Sequence, residues 1–350
     1  MLPFITVIIP VYNEEKYIAD TLRQIASQNY PRKRYEVLVV DGMSTDNTLQ
    51  IAGLNSSLFR NFYVLKNGKR LSSSARNIGF KTARGEYVII IDGHVYIENK
   101  NLFRDMITIF AETGLDVLSR PQPLTPPKNR FFQNAVAYAR ESFIGHGVNS
   151  TIYHRHYSGP VDPSSSGAMY RKSIIYEVGL FDESFDAAED YEFNYRLSLN
   201  NKLSYTSPKL TVFYYPRNSL LSLFRQMKRY GLGRGKMQKK YNDGLRSGAV
   251  APPMFFLTLL TMIILSLFVD QLWTLPLLMG GIYFSAITVA AGLVASEKGL
   301  KYFPLLLPIY FVIHAGMAYG VIRGLLSRNE SQHQKDSGTA EENINQDAPV

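Results

Sequence analysis

The first hundred residues alternate between continuous apolar runs and amphipathic stretches. The runs are rich in β-branched residues and predict buried strands at TVIIPVY (6–12), YEVLVVD (35–41), NFYVLKN (61–67) and EYVIIID (86–92). Residues 14–28 place Ile18, Leu22 and Ile25 on one helical face, which predicts a helix. Further helices are predicted from about Thr48 and over 72–84.

This alternation predicts an α/β domain whose mainly parallel sheet is covered on both faces. Ligands of such sheets bind beyond the carboxyl ends of the strands. Polar residues follow three of the predicted strands at that place: Asn13-Glu14, Asp41-Gly42 and Asp92-Gly93-His94. The candidate site is therefore expected at this edge of the sheet.

The stretch over 101–215 is less regular. We predict a loop over 121–130, a helix over 131–142, a long Gly/Ser/His loop over 145–167 and a helix from about Asp190. Loops as long as 145–167 are usually functional or mobile in a compact domain.

Three uncharged apolar runs follow, at 252–269, 271–295 and 302–322. Each approaches or exceeds the roughly 20 residues that cross a bilayer. Only Asp270 separates the first two, which predicts a hairpin, and Lys298 and Lys301 mark the next loop as cytoplasmic. The pattern predicts three spans with the C-terminus outside. Arg323 and Arg328 favour the opposite side, which leaves open that the first or third run is re-entrant or interfacial.

Composition divides the chain into four parts. We expect a cytoplasmic catalytic domain over 1–215, a basic amphipathic or interfacial segment over 216–250, about three transmembrane helices over 251–325 and a polar disordered tail over 326–350. The N-terminus lacks a basic n-region and a cleavage site, so we expect a first strand there rather than a signal peptide. The sequence has no cysteine, which excludes disulfides, thiolate metal sites and cysteine nucleophiles.

The net charge of +9 is concentrated beside the apolar runs. Nine Lys/Arg and one acid, Asp243, lie between Arg217 and Arg246. A basic segment directly before a membrane run is typical of contact with anionic lipid head groups. We therefore expect a membrane partner, at the plasma membrane, and no nucleic acid.

The Asp92-Gly93-His94 step carries candidate metal chemistry. Side chains two residues apart point to the same side of an extended chain, so Asp92 and His94 can converge. A carboxylate with an imidazole suits Mn²⁺, and the carboxylate also suits Mg²⁺. Two ligands are few, so a substrate with phosphates would complete the shell. The alternative is a turn aspartate beside a surface histidine.

Five motifs in order indicate a family. No G-x-G-x-x-G follows the first strand and no G-x-x-x-x-G-K-[ST] occurs, so the dinucleotide and P-loop cradles are absent. The chain instead has VIIPVYNEE, EVLVVDGMSTDNT, SSSARNIGFKTARGEYVIIIDGH, SSSGAMYRKS and DAAEDYEF. Over about residues 4–200 this set resembles the inverting glycosyltransferases of family 2, which have the A-type nucleotide-diphospho-sugar transferase fold.

The resemblance implies a nucleotide-sugar donor site. Pro10, Tyr12 and Glu14 would line the nucleoside pocket. Asp41 would accept the uracil N3–H, for which a carboxylate is a suitable partner, and Arg76 would lie near the uracil and phosphates. Asp46 matches the second aspartate of its motif, where we favour a helix-cap and loop-shaping role.

The resemblance also assigns the metal and the base. Asp92 matches the first aspartate of the family's Asp-x-Asp motif, and His94 replaces the second, as in the branch of succinoglycan-type membrane glucosyltransferases. Asp190 matches the catalytic base, which takes the proton of the acceptor hydroxyl. Glu189 is the competing candidate, and Gly167 with 164–166 would form the acceptor-side loop.

The basic segment resembles the Q-x-x-R-W element of processive family 2 synthases, here Gln226-Met227-Lys228-Arg229-Tyr230 with Tyr in place of Trp. Arg229 and Arg234 would hold diphosphate oxygens of the donor or of a lipid acceptor. The alternative is an amphipathic helix that binds lipid head groups.

Together these features predict a membrane-anchored inverting glycosyltransferase. It would pass sugar from a UDP-linked donor, with Mn²⁺ or Mg²⁺, to a polyprenyl-pyrophosphate-linked saccharide in exopolysaccharide or related glycan synthesis. Three alternatives remain open: a polyprenyl-phosphate sugar synthase, a processive polysaccharide synthase, and a non-enzymatic, membrane-tethered nucleotide-sugar binder.

Overall fold

The structure is a computed structural model that describes residues 2–127, 130–146, 151–153, 156–185, 187–242 and 250–327. Most of the predicted polar tail over 326–350 lies outside these residues, as do Arg246 and Arg328.

One eight-stranded sheet organises the first 210 residues, in the order β3-β2-β1-β4-β8-β6-β9-β7. Its strands are β1 Ile5–Val11, β2 Tyr35–Asp41, β3 Phe62–Lys66, β4 Tyr87–Ile90, β6 Val117–Ser119, β7 Gly159–Val161, β8 Gly167–Arg171 and β9 Ser204–Thr206. The first four strands are parallel, and β8 joins β4 antiparallel. A two-stranded sheet pairs β5 Val95–Tyr96 with β10 Phe213–Tyr214.

Helices cover both faces of the sheet, as expected for continuous apolar strands. They are α1 Ile18–Ala26, α2 Thr48–Leu54, α3 Ser72–Thr82, α4 Leu102–Thr113, α5 Phe131–Glu141, α6 Phe143–His146, α7 Ile174–Val178 and α8 Glu189–Leu199. Alternate residues of β1 separate to the two sides: Val7 and Ile9 pack in one core cluster, and Ile8 packs with Phe80 and Phe193 in another.

The four predicted strands are confirmed, and the predicted helix over 131–142 is confirmed as α5. The helix predicted over 14–28 begins only at Ile18, because residues 14–17 form a turn in which Tyr17 N–H donates to Glu14 O over 2.9 Å. The prediction of a loop over 145–167 is wrong in part. It contains β7, whose register with β9 is set by backbone pairing that a three-residue, Pro-containing strand does not reveal in sequence.

Four helices follow the sheet domain: α9 Leu220–Tyr241, α10 Ala251–Ser266, α11 Thr274–Lys298 and α12 Phe303–Leu326. Two of them, α11 and α12, are long and apolar enough to cross a membrane by length and composition, within the part of the chain that the structure describes. The first predicted span gives only the 16-residue helix α10, and residues 270–273 form the turn that joins it to α11.

Helix α9 packs along the C-terminal half of α12 through facing glycines. A Cβ on Gly316 would lie 2.8 Å from Met227 Cβ, one on Gly320 2.8 Å from Leu232 N, and one on Gly324 2.8 Å from Gly235 Cα. The partners advance together along both helices, so α9 and α12 are parallel. Small residues at this spacing let two backbones approach closely.

Candidate active site

A cavity of about 940 Å³ runs from the carboxyl ends of the strands to the apolar helices. Asp92 and His94 line its sheet end, together with Glu189 and Asp190 at the start of α8. Seven arginines line its walls: Arg76, Arg120, Arg140, Arg217, Arg225, Arg229 and Arg234. Its far end is apolar and includes Phe255, Phe256 and Met317 from α10 and α12. The cavity therefore joins a carboxylate cluster, a cationic wall and an apolar surface.

Arg76 connects the two acidic positions of the site. Its guanidinium is ion-paired with Glu189 and lies 3.7 Å from an Asp92 carboxylate oxygen. Burial alone would raise the pKa of Asp92, but the charges of Arg76, His94 and Arg120 hold it below its usual value. Asp92 is therefore ionised at neutral pH, as a ligand of a cation must be.

Asp190 differs electrostatically from Glu189 beside it. Its carboxylate accepts a hydrogen bond of 2.8 Å from Tyr191 N–H and forms no ion pair among the described residues. Solvent reaches it through the cavity, but most of its surroundings are protein. This desolvation, with the charge of Glu189, raises the pKa of Asp190. A carboxylate of raised pKa is a stronger proton acceptor, as a general base requires.

His94 is held by Glu14. The Nδ1 atom of His94 lies 2.8 Å from Glu14 Oε1, and the structure gives Nε2 no partner among the described residues. Burial opposes the charged ring, but the hydrogen bond to Glu14 and the nearby carboxylates raise the pKa of His94. A side chain at Gly93 would be crowded, because a Cβ there would lie 3.0 Å from Glu14 Cγ.

The donor set fits a divalent cation only in part. A carboxylate behind the ring of a metal-binding histidine fixes its tautomer, and Glu14 has that relation to His94. Among the described residues, however, no group of three or more His, Cys, Asp or Glu could hold a metal. Asp92 and His94 thus suit an ion whose other ligands are phosphate oxygens and water.

The residues predicted for the nucleoside pocket do not line this cavity. Pro10, Tyr12, Glu14 and Asp41 lie at or just after the ends of the neighbouring strands. Tyr12 is 52% exposed, and Pro10 precedes it on β1. Both oxygens of buried Asp41 accept backbone hydrogen bonds, from Met43 N–H at 3.0 Å and Ser44 N–H at 3.2 Å. Recognition of a base by Asp41 stays a prediction.

Asp46 shapes the neighbouring loop. Its carboxylate accepts from Glu15 N–H at 3.2 Å and Thr48 N–H at 3.0 Å, which joins the β1 end to the start of α2. These hydrogen bonds lower the pKa of Asp46, although burial opposes the shift. The contacts agree with the loop-shaping role favoured from sequence.

Gly167 lies where β8 meets α8. A Cβ at this position would lie 2.5 Å from Asn194 Oδ1, and Gly167 O accepts hydrogen bonds from Asn194 Nδ2 and Tyr170 Oη at 2.9 Å and 2.7 Å. The glycine lets the first turns of α8 approach the sheet, which brings Asp190 to the cavity.

The residues predicted on the basic segment also line the cavity. Gln226 Nε2 donates to Tyr230 Oη over 3.2 Å on α9. The Arg234 guanidinium lies 3.6 Å from the ring centroid of Tyr191, the residue after Asp190. Arg229 lines the same wall. Their roles stay predictions, but the structure brings them to the cavity that holds Asp92 and Asp190.

Among the lining residues that sequence reasoning missed are Arg120, Arg140 and Tyr214. Arg120 Nη1 donates to Ile90 O and Nη2 donates to Tyr214 Oη, both over 2.7 Å, and Tyr214 contacts Asp92. Arg140 on α5 is buried against Tyr153. None belongs to a motif, and Arg140 has only the signal of a charged residue that ends an apolar stretch, AVAYAR (135–140).

Comparisons with known proteins identify the class. A family model described as glycosyl transferase family 2 matches residues 6–179. The succinoglycan biosynthesis protein ExoA of Rhizobium meliloti is 31% identical over 262 residues, which cover 71% of this chain and 76% of that protein. The dolichyl N-acetyl-alpha-D-glucosaminyl phosphate 3-beta-D-2,3-diacetamido-2,3-dideoxy-beta-D-glucuronosyltransferase of Methanococcus voltae is 28% identical over 356 residues, covering 94% of this chain and 99% of that protein.

Solved structures agree on the fold. The mannosyltransferase PcManGT from Pyrobaculum calidifontis, in complex with GDP-Man and Mn²⁺, superposes with a TM-score of 0.60 at 17% identity, covering 94% of this chain and 89% of that chain. The predicted A-type nucleotide-sugar transferase fold is confirmed.

Proposed function

The chain belongs to glycosyl transferase family 2, and from this we propose that it transfers a sugar from a UDP-linked donor to a lipid-linked acceptor at the cytoplasmic face of the plasma membrane. One observation carries the proposal: a single cavity joins the carboxylates at the strand ends, an arginine wall and the apolar helices. Such a cavity suits an acceptor with a phosphate group and a hydrocarbon chain. The dolichyl-linked substrate in the name of the Methanococcus voltae relative supports the same class.

The proposed chemistry is an in-line displacement at the anomeric carbon. Asp190 removes the proton of the acceptor hydroxyl while its oxygen forms a bond to the sugar. The bond between sugar and diphosphate breaks, and its electron pair leaves with the nucleoside diphosphate. Attack from the side opposite the diphosphate inverts the anomeric centre.

The departing diphosphate needs positive charge. Asp92 and His94 would hold Mn²⁺ or Mg²⁺, and the ion would supply that charge when bound. Arg76 lies beside Asp92 and would orient the phosphates through its planar guanidinium. Pro10, Tyr12, Glu14 and Asp41 would bind the nucleoside at the adjoining strand ends.

The contacts of α12 support a specific arrangement at the membrane. The N-terminal end of α12 lies against α5, because Tyr302, the residue just before the helix, stacks on Phe131 with ring centroids 4.7 Å apart. Its C-terminal half packs on α9, which carries seven Lys/Arg. Each such charge costs about 2.5–3.5 kcal/mol at the centre of a bilayer on insertion scales. An α12 that crossed the membrane would bring these cations with it.

We therefore propose that α12 lies at the interface and that α10 and α11 enter the lipid as a hairpin. Helix α11 buries one stripe, Ile287, Ala291 and Ala295, and exposes apolar residues elsewhere. Both ends of a hairpin lie on one side, so the C-terminal tail is on the side of the catalytic domain. The side favoured by Arg323 agrees with this arrangement.

Sugar transfer by membranes that contain the chain tests the function. UDP-, GDP- and dTDP-sugars are supplied with Mn²⁺, Mg²⁺ or EDTA and a lipid extract. We expect metal-dependent transfer from one UDP-sugar, lost in Asp92→Ala and Asp190→Asn. Sugar transfer that persists with EDTA and in both variants would refute the assignment of the metal site and of Asp190 as the base. Tight donor binding without turnover would favour the non-enzymatic binder.

A further inference from the structure

One arginine of the cavity is buried without a carboxylate. Arg140 is 5% exposed, and its Nη2 atom donates to Tyr153 Oη over 2.7 Å. Among the described residues no carboxylate pairs with it, and its Nε atom, like those of Arg76 and Arg120, is buried without a hydrogen-bond partner. A buried cation is unfavourable unless an anion compensates it.

The other two buried arginines of the cavity are compensated. Arg76 is paired with Glu189 and faces Asp92. Arg120 reaches Asp92 through Tyr214 and lowers its pKa. Arg140 instead lies 5.8 Å from the ring centroid of Tyr153 and 5.6 Å from that of Tyr230. Aromatic faces attract a guanidinium but do not neutralise it.

Arg140 also occupies a particular place along the cavity. The preceding residue, Ala139, packs in the apolar cluster that contains Met227 of α9 and Ile313 of α12. Four residues beyond Arg140, on α6, Ile144 O accepts a hydrogen bond of 2.9 Å from His314 Nε2 on α12. The charged wall therefore meets the apolar helices at this point.

We propose that Arg140, framed by Tyr153 and Tyr230, binds the phosphate of an isoprenoid-type lipid acceptor. The hydrocarbon chain of that acceptor would leave along Phe255 and Phe256 of α10. A guanidinium presents a fork of donors that matches phosphate oxygens, and Arg140 lines the cavity. This inference rests on the proposed acceptor class, but its test needs no sugar transfer.

Binding of a short isoprenyl diphosphate tests the site. The full chain, purified in detergent, is titrated with farnesyl diphosphate, farnesol and inorganic pyrophosphate. We expect wild-type protein to bind farnesyl diphosphate more tightly than farnesol or pyrophosphate alone. Arg140→Gln should weaken farnesyl diphosphate binding about 10- to 100-fold, as for a lost charged hydrogen bond. Farnesol binding should be equal in the two proteins.

Two variants and a control keep the test decisive. Arg140→Lys retains charge without the fork, so its Kd should lie between those of wild type and Arg140→Gln. If Arg140→Gln does not fold, Arg140→Lys and Tyr230→Phe provide the comparison. Arg23→Gln is the matched control, because Arg23 is exposed on α1 and, within the described part of the chain, pairs only with Asp20.

Three results would overturn the site. Equal Kd values for farnesyl diphosphate in wild type and the Arg140 variants would make Arg140 a packing residue. Equal affinity of wild type for farnesol and farnesyl diphosphate would exclude phosphate recognition. Weakened UDP-sugar binding with unchanged farnesyl diphosphate binding would assign Arg140 to the donor. If the binding pattern holds but no donor is turned over, the proposed function fails and the lipid-phosphate site stands.

Discussion

Arg76 of α3 is ion-paired with Glu189, the first residue of α8, and so engages the carboxylate beside Asp190. Both partners of this pair are buried. Asp190, in the same turn, pairs with no cation of the described residues. It lines the cavity, so solvent in the cavity reaches its carboxylate. The pair thus distinguishes two adjacent acids that look equivalent in sequence.

Asp190→Asn should lower kcat for sugar transfer about 100- to 10,000-fold, the usual contribution of a general base. The KM for the donor should change little, because the amide keeps the size of the side chain. Steady-state transfer kinetics provide the measurement.

Glu189→Gln is the comparison. It leaves Arg76 buried without its partner, which typically costs about 3–5 kcal/mol of stability. We expect a lower unfolding temperature and a smaller loss of kcat. If Glu189→Gln lost most of its kcat and Asp190→Asn kept a near-normal kcat, Glu189 and not Asp190 would be the general base.

The pH dependence of kcat should show the raised pKa of Asp190. A base works ionised, so activity falls as pH decreases through that pKa, at a higher pH than for an ordinary aspartate. Removing the Glu189 charge favours ionised Asp190, so Glu189→Gln should move the acid limb to lower pH. An acid limb that stays in place would show that another group titrates.

Glu14→Gln should weaken metal activation. Loss of the carboxylate behind His94 removes the contact that orients the imidazole, and such changes cost about 10- to 100-fold in metal affinity. The Mn²⁺ concentration for half-maximal transfer should rise accordingly. Glu15→Gln is the control, because Glu15 bonds Asn47 instead. Equal Mn²⁺ dependence in both variants would remove His94 from the metal site.

Gly320→Val should separate α9 from α12. The added side chain would meet the α9 backbone near Leu232, and overpacking of this kind costs about 1–3 kcal/mol. Gly292→Val, on α11 with nothing within 4 Å of its Cβ, should leave the unfolding temperature unchanged. Thermal unfolding in detergent compares the two. Equal unfolding temperatures would contradict the close helix contact.

Cysteine labelling tests the hairpin arrangement, and the natural chain has no cysteine to interfere. Leu326→Cys and Leu54→Cys introduce thiols at exposed positions, 79% and 75% exposed, at the end of α12 and in the sheet domain. An impermeant maleimide should label both in the same vesicle orientation. Labelling in opposite orientations would mean an odd number of crossings and would contradict an interfacial α12.

Most of the first half of the sheet could be predicted because β1, β2 and β4 are buried on both faces and leave continuous apolar runs. The edge strand β3 is half exposed, but its sequence FYVLK is still largely apolar. The strands β6, β7 and β9 have only three residues each, and pairing with distant partners forms them. Such strands carry no local period.

The site could be predicted where chemistry follows a strand end or opens a helix, as for Asp92 and Asp190. The roles of Arg120 and Arg140 could not be predicted, because they depend on burial that only the folded chain creates. Arg120 is buried beside Tyr214, and Arg140 is buried without a carboxylate partner among the described residues. The sequence predicted site residues on the basic segment, but it did not predict that this segment packs against α12. The facing glycines lie about 90 residues apart in sequence and acquire meaning only in packing.

The most direct measurement follows labelled sugar from a UDP-sugar into the lipid fraction of membranes that contain the chain. The account predicts label in a lipid-soluble product with Mn²⁺ or Mg²⁺, and its loss with EDTA or in Asp190→Asn. Label that appears only as free sugar or in a water-soluble polymer would contradict the lipid-linked acceptor.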